Sequence, residues 1–333
     1  MGNFTINGKR FEITNNDTLL EISNNAGFNV PSLCYVKGAK HKASCMLCSV
    51  IDISNDRIIP ACATFPTDGM VIETDSDEIK TIRTLSLELL LSDHRADCEA
   101  PCSMVCPFGL DIEKMLRFYD SQSPKEAYIY VSSVFSFPEI PCHTCKAPCE
   151  KACRRGSIDK SVEIRKIISS LIGHHTADEK LENSRSSKDR NEEQLFHSRL
   201  GRFTDQEKEF LKTTVSTPSR CLHCACAGKT GCKLRHYATQ FGIKRPRFDA
   251  SSANMAMNKK QIIGNLWFEP AKCIRCGLCV YNSDNGFTFK DRGFEMEIII
   301  PEQNYFNVDE NIANICPTGA LYCEKKMSKI FKI

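Results

Sequence analysis

The chain has 333 residues, enough for two or three domains and a sizeable core. A formal charge of +3 is nearly balanced, so net charge points to no polyanion partner. Twenty cysteines are far more than packing needs, yet sparser than in small secreted disulfide scaffolds. Residues 1–8 lack a basic segment followed by an apolar one, so secretion is not expected. The densest apolar run, residues 85–91, is broken by Ser86 and Glu88 and falls short of the roughly 18 residues of a membrane helix. The expected setting is cytoplasmic and reducing, where clustered cysteines are metal ligands more often than disulfides.

Residues 4–13 read as a hairpin, because Asn7-Gly8 can supply the positive φ angles of a two-residue turn. A helix follows: Thr18 and Glu21 form a capping box, Leu19, Leu20 and Ile22 face inward, and Gly27 and Pro31 end it. Cys34, Cys45, Cys48 and Cys62 come next, with gaps of ten, two and thirteen, before the strand-like Val71-Ile72. Four soft donors suit an iron–sulfur cluster or zinc. Asp75 and Glu78 predict the start of an amphipathic helix whose inward stripe is Ile79, Ile82, Leu85 and Leu89, and which delivers His94. His94, Cys98, Cys102 and Cys106 then stand at even steps of four, and Cys142, Cys145, Cys149 and Cys153 follow, which makes two further sets of four donors.

From His174 to about Lys212 the chain is charged and poor in aliphatics, as a linker or docking segment with one exposed helix would be. Cys221, Cys224, Cys226 and Cys232 form a compact group that suits a [4Fe–4S] cluster or a structural zinc. Lys244, Arg245 and Arg247 lack interleaved aromatics, so they read as a docking surface and not as a nucleic-acid site. Cys273, Cys276 and Cys279 open a ferredoxin run, and Cys316-Pro317 closes it. Cys323 is left over and reads as a buried free cysteine. His143, His223 and His236 read as neighbours of these groups, not ligands.

Three resemblances refine this. Residues 1–97, through the 34/45/48/62 spacing, Pro31-Ser32-Leu33-Cys34-Tyr35 and Ala61-Cys62-Ala63-Thr64, resemble the [2Fe–2S] domain of the complex I large iron–sulfur subunit and of NAD-reducing hydrogenases. The resemblance implies a [2Fe–2S] cluster on Cys34, Cys45, Cys48 and Cys62. Residues 95–168, through Cys98-Glu99-Ala100-Pro101-Cys102, Cys106-Pro107 and 145–156, resemble the iron–sulfur domain of glutamate synthase small subunits and dihydropyrimidine dehydrogenases. That domain interleaves the ligands of two [4Fe–4S] clusters, which implies cluster A on His94, Cys98, Cys102 and Cys153, and cluster B on Cys106, Cys142, Cys145 and Cys149. Here His94 stands near the place of the family's missing first cysteine, and Cys142 is an added thiol. Residues 265–323 resemble a single-cluster ferredoxin, which implies cluster D on Cys273, Cys276, Cys279 and Cys316, while Cys221, Cys224, Cys226 and Cys232 would hold cluster C.

The expected fold is therefore an α+β multidomain chain. It comprises a β-grasp [2Fe–2S] ferredoxin domain over 1–78, a helical double-[4Fe–4S] domain over 79–170, a charged segment over 171–215 and a ferredoxin-like C-terminal domain over 216–333. Nineteen cysteines and His94 make five groups of four, one [2Fe–2S] and four [4Fe–4S] clusters, which suits the passage of single electrons. No G-x-G-x-x-G flavin or nucleotide cradle occurs. The expected role is a non-catalytic electron-transfer subunit of an oxidoreductase. Its partner would be a flavoprotein NAD(P)H oxidoreductase subunit, or alternatively a hydrogenase or molybdopterin catalytic subunit. Two readings of another class are a zinc-stabilised binding or regulatory protein and a cluster-based redox sensor.

Overall fold

In the computed structural model, residues 2–13, 16–94, 97–135, 141–173, 205–214, 217–228, 231–243, 247–248 and 259–323 are described. They divide into two units, residues 1–94 with 227–333, and residues 95–226. These units do not follow the expected boundaries at 78/79, 170/171 and 215/216.

The chain opens with the expected hairpin, strands β1 (Asn3–Ile6) and β2 (Lys9–Glu12), turned by Asn7 and Gly8 at φ 48° and 78°. Helix α1 (Leu19–Asn25) starts at the Thr18–Glu21 capping box, and Leu19 and Leu20 are buried. Strands β3 (Ser49–Asp52), β4 (Arg57–Pro60) and β5 (Val71–Glu73) complete a five-stranded sheet of order β2-β1-β5-β3-β4. The β1–β5 pair is parallel and the other pairs are antiparallel. Phe4, Ile6, Leu20, Val50 and Ile72 form its core.

Helix α2 (Asp77–Asp93) corrects two expectations. Its cap is Ser76, which accepts from the Ile79 N–H, not Asp75. Its buried face is Ile79, Arg83, Leu87 and Leu91, whereas Leu85 and Leu89 are exposed. Both stripes have helical spacing; the choice falls to Arg83, whose Nη2 donates to the Ser49 carbonyl of β3 at 2.9 Å. That contact ties α2 to the first sheet, so the helix belongs with residues 1–94.

The second unit is helical, with no strand among its described residues. It contains α3 (Pro101–Met104), α4 (Ile112–Asp120), α5 (Pro124–Val134), α6 (Pro148–Lys151), α7 (Ile164–Gly173) and α8 (Asp205–Thr214). Leu110, Met115, Leu116, Val131, Ile168 and Leu171 fill its core. The expected boundary at 170/171 falls inside α7, because Leu171 is one of these core residues. The charged segment lies largely outside the described residues. Its described part is α8, which is not wholly exposed: Leu211 is buried and its carbonyl accepts from Arg155 Nη1 at 3.1 Å. Residues 217–226 also pack here, not with the C-terminal stretch.

Residues 227–333 return to the first unit with α9 (Lys233–Gln240), β6 (Lys260–Ile263), β7 (Leu266–Phe268), α10 (Leu278–Tyr281), β8 (Thr288–Lys290), β9 (Glu297–Ile299) and β10 (Leu321–Cys323). They form a sheet of order β10-β7-β6 and the ribbon β8-β9, over Leu266, Phe268, Phe287, Val308 and Leu321. Cys323 is exposed, not buried, because it ends an edge strand; its thiol donates to the Glu310 carbonyl at 3.4 Å. Lys244 and Arg245 lie outside the described residues, while Arg247 pairs with Glu88 of α2 at 3.5 Å. Among the described residues no helix is long and apolar enough to cross a membrane.

Candidate metal centres

Cys34, Cys45 and Cys48 sit on the loop between α1 and β3, and Cys62 lies in the turn after β4; all four are buried. Met46, at φ 52°, and the Ala61 N–H bond to the Cys48 carbonyl (3.1 Å) wind this loop back onto the sheet. The Cys34 thiol bonds to those of Cys45 and Cys62, and Cys48 bonds to Cys62. The bonds to Cys45 and Cys62, with backbone N–H donors of Cys45 and Ser44, hold the Cys34 thiol well below its ordinary pKa. Two linked pairs of buried thiols fit a two-iron cluster that takes two donors per iron.

Cys106, Cys142, Cys145 and Cys149 line one pocket of the helical unit, with Leu110 and Ile168 on its apolar wall. Ala147, left-handed at φ 49°, turns the chain so that α6 carries Cys149 in its first turn. Arg165 braces the loop by donating to the Glu150 carboxylate from its N–H (2.9 Å) and to the Cys145 carbonyl (3.3 Å). Burial, then the charges of Cys106 and Cys145, push the Cys142 thiol up to about 11. Burial raises Cys149 to about 11 as well, with Cys106 and Cys142 among the charges it feels.

Cys273, Cys276, Cys279 and Cys316 form the third complete group. Burial, then backbone and charge effects that include Cys316, put Cys273 at about 12, and burial with the other thiols pushes Cys276 and Cys279 up further. The loop takes left-handed turns at Arg275 (φ 55°) and Gly277 (φ 77°). A Cβ on Gly277 would lie 2.7 Å from Tyr281 and 2.9 Å from Phe289, so only glycine fits. Backbone N–H groups point at these sulfurs, the Arg275 N–H reaching Cys273 Sγ at 3.3 Å. Such donors stabilise a cluster's reduced form.

This group lies beside the first. Ser44, next to Cys45, donates to the Cys276 carbonyl at 3.3 Å. Asn282 clamps the Lys40 backbone, accepting from its N–H at 2.9 Å and donating to its carbonyl at 2.7 Å.

The other donors are divided between the two units. In the first unit, His94 is the C-cap of α2, and burial with the neighbouring Lys272 ammonium lowers its pKa to about 4. Lys272 is buried and paired with Glu269 at 2.6 Å. Cys232 caps α9, its sulfur accepting from the Arg235 N–H at 3.5 Å. In the helical unit, burial pushes the Cys102 thiol far up, followed by the charges of Cys221, Cys224 and Cys153. Cys98 accepts from the Cys226 N–H through its carbonyl at 3.1 Å. Asp97, buried, binds Arg154 by two bonds of 3.1 and 3.2 Å.

Sequence reasoning missed what holds the 217–226 loop. Asp120 accepts from the Ser219 N–H (2.9 Å) and hydroxyl (2.6 Å), and His223 lies between Glu113 and Asp120, 3.1 Å from each. Burial disfavours the His223 charge, but Asp120, Cys221 and Glu113 outweigh it and raise its pKa to about 11. With both ring nitrogens facing carboxylates, His223 is a brace, as expected of a neighbour. No sequence signal links α4 to a loop about 100 residues later.

Among the described residues no three His, Cys, Asp or Glu side chains are gathered as a single metal ion requires. Each of the three four-cysteine groups offers the donor type and number that an iron–sulfur cluster takes.

Residues 2–77 match the model of a 2Fe-2S iron-sulfur cluster binding domain, and residues 88–180 match dihydropyrimidine dehydrogenase domain II, a 4Fe-4S cluster domain. Over 176 residues the chain is 29% identical to an NADH-quinone oxidoreductase subunit of Rhizobium meliloti, a match that covers 48% of this chain and 20% of that one. It is 30% identical over 128 residues to the NADPH-Fe(3+) oxidoreductase alpha subunit of Geobacter sulfurreducens, covering 38% and 15%. It is 38% identical over 100 residues to NADP-reducing hydrogenase subunit HndD of Solidesulfovibrio fructosivorans, covering 28% and 17%. The chain thus matches a fifth or less of these relatives' length. In fold it is similar to a chain of an NAD+-reducing [NiFe]-hydrogenase in the H2-reduced state, with a TM-score of 0.51 and 16% identity over 98% of this chain and 88% of that one. These matches show a 2Fe-2S and a 4Fe-4S iron–sulfur domain in a chain of mixed α and β structure, similar over part of its length to subunits of NADH- and NADP-linked oxidoreductases.

Proposed function

We propose that the chain is a cytoplasmic, non-catalytic subunit that relays electrons between an NAD(P)H-linked flavoprotein partner and another redox site. It holds one [2Fe–2S] and four [4Fe–4S] clusters. The observation that carries this reading is the placement of two four-thiol groups side by side, the first buried and the second partly buried, joined through Ser44 and the Cys276 carbonyl. When bound, each such cluster accepts and returns one electron.

The chain's own residues supply the rest. Cys34, Cys45, Cys48 and Cys62 hold the two-iron site on a β-grasp sheet, while Cys106, Cys142, Cys145 and Cys149 hold one cubane and Cys273, Cys276, Cys279 and Cys316 another. Apolar side chains exclude water from these sites, and N–H donors such as that of Arg275 adjust their potentials. A hydrogenase catalytic subunit is the second candidate partner, supported by the likeness to a subunit of an NADP-reducing hydrogenase.

Anaerobic purification tests the reading. Brown protein with about eighteen irons and as many acid-labile sulfides, two for the first site and four for each cubane, is expected. Colourless protein with about one zinc per group would sink it in favour of a zinc-stabilised binding protein.

A further inference from the structure

The loops that carry Cys45 and Cys276 meet within the first unit, and their joint contains an ion pair. Beside the Ser44 and Asn282 bonds, Lys42 Nζ lies 5.2 Å from the centre of the Tyr281 ring. An open cleft at this joint is lined by Cys45 of one group and Cys276 of the other, together with Ser44, Asp93 and Arg275. Arg275 Nη1 stands 3.8 Å from Asp93 Oδ2, and the two side chains are only 10% and 27% exposed. Arg275 also lines a second cavity, with Cys273. It therefore borders ligands of both groups.

Local stability explains neither residue. Arg275 holds φ 55°, a left-handed conformation that costs a residue with a Cβ what it does not cost glycine. Asp93 is the last residue of α2, where a carboxylate faces the negative end of the helix dipole. The pair offsets part of both penalties. Lys272, a second buried cation next to Cys273, is held tightly by Glu269 at 2.6 Å, whereas the looser Arg275–Asp93 pair leaves more of its cation's field uncompensated. Reduction adds one negative charge to an iron–sulfur cluster, and a poorly hydrated cation nearby stabilises that state. At Cys273, where burial dominates, the Arg275 cation favours the thiolate and the Asp93 carboxylate opposes it.

We infer that Arg275 is a fixed charge that raises the potentials of both neighbouring clusters, and that Asp93 positions and tempers it. The inference rests on the iron–sulfur reading above and deepens it, since one ion pair at the joint then governs the electron step between the two centres. In that step one electron leaves the reduced centre and reduces the other, and no atom or proton moves with it.

Redox titrations of the full-length anaerobic protein, followed by electron paramagnetic resonance, test this, with the C-terminal cubane identified as the signal that Cys316→Ser alters. Arg275→Gln is expected to shift the midpoint potentials of the two-iron centre and of that cubane downward. Arg275→Lys should leave both near the wild-type values, and Asp93→Asn should shift both upward. These shifts should persist at high salt, because the pair is largely buried. Either potential unmoved by Arg275→Gln, shifts of the same sign in Arg275→Gln and Asp93→Asn, or a shift in Arg275→Lys as large as that in Arg275→Gln would overturn the inference. Where Arg275→Gln loses iron or fails to fold by circular dichroism, the sign of the Asp93→Asn shift decides: upward supports the inference, unmoved or downward overturns it. Failure of the underlying reading is distinct from these results, since it appears as wild-type protein without iron or sulfide.

Discussion

Cys273, Cys276 and Cys279 lie within seven residues of one another, on a loop whose shape comes from its own turns at Arg275 and Gly277. In the helical unit, Cys102 shares its core with cysteines from about 50 and about 120 residues later, on segments tied down by the Arg154–Asp97 and Ser219–Asp120 bonds. The first kind of site is made by local backbone geometry and the second by cross-braces between distant segments. Local sites should tolerate damage elsewhere in the fold; braced ones should fail when any brace goes.

The largest expected effect is that of removing the metal. Seven cysteines belong to or pack against the helical core, whereas the core of the first sheet contains two, Cys48 and Cys62, among Phe4, Ile6, Leu19, Leu20, Val50 and Ile72. Chelation of the iron should therefore open residues 97–173 to protease while the 2–94 stretch stays resistant, because cluster binding and folding are coupled where the ligands are the core. Equal digestion of both would erase the contrast.

Next comes Asp120→Ala, which strips three bonds from Ser219 and His223 and leaves a buried imidazolium underbonded. A loss of about 2–4 kcal/mol in the unfolding of the helical unit is expected by denaturant titration. The same brace has a pH signature. His223 is raised from an ordinary 6.5 to about 11, so its contribution is fully present below 6.5 and is lost as pH rises through 11. Unfolding midpoints measured across that window should fall more steeply in the wild type than in His223→Gln; parallel curves would count against a charged His223.

Gly277→Ala tests the local kind of site. A left-handed φ and contacts under 3 Å to Tyr281 and Phe289 should cost about 1–3 kcal/mol and perturb only the C-terminal cubane's spectrum. A change in the helical unit's signals would blur the distinction. The smallest effect is Thr18→Ala, which removes the α1 capping box and should lower thermal stability by about 1 kcal/mol with every cluster signal intact.

The boundary of what could be read in advance follows the same division. The Asn7-Gly8 turn, the Thr18–Glu21 cap and the ferredoxin loop at Cys273 were legible because neighbours in sequence decide each of them. The inward face of α2 was not, since Leu85 and Leu89 have the same periodicity as Leu87 and Leu91, and Arg83 reaching Ser49 settles which face turns in. Cys323 was misread because burial at an edge strand depends on what packs over it.

By itself the amino-acid order determined the kind of chemistry: donor type, donor number and the short spacings at which one loop can wrap a cluster. It could not determine that residues 79–93 would pack with the first sheet and 217–226 with the helical unit. Spacing constrains a loop of a few residues through bond geometry, but two segments separated by about 100 residues meet only after their faces have packed. That choice was made by Asp120, Glu113, Asp97 and Arg83, whose partners exist only in the folded chain.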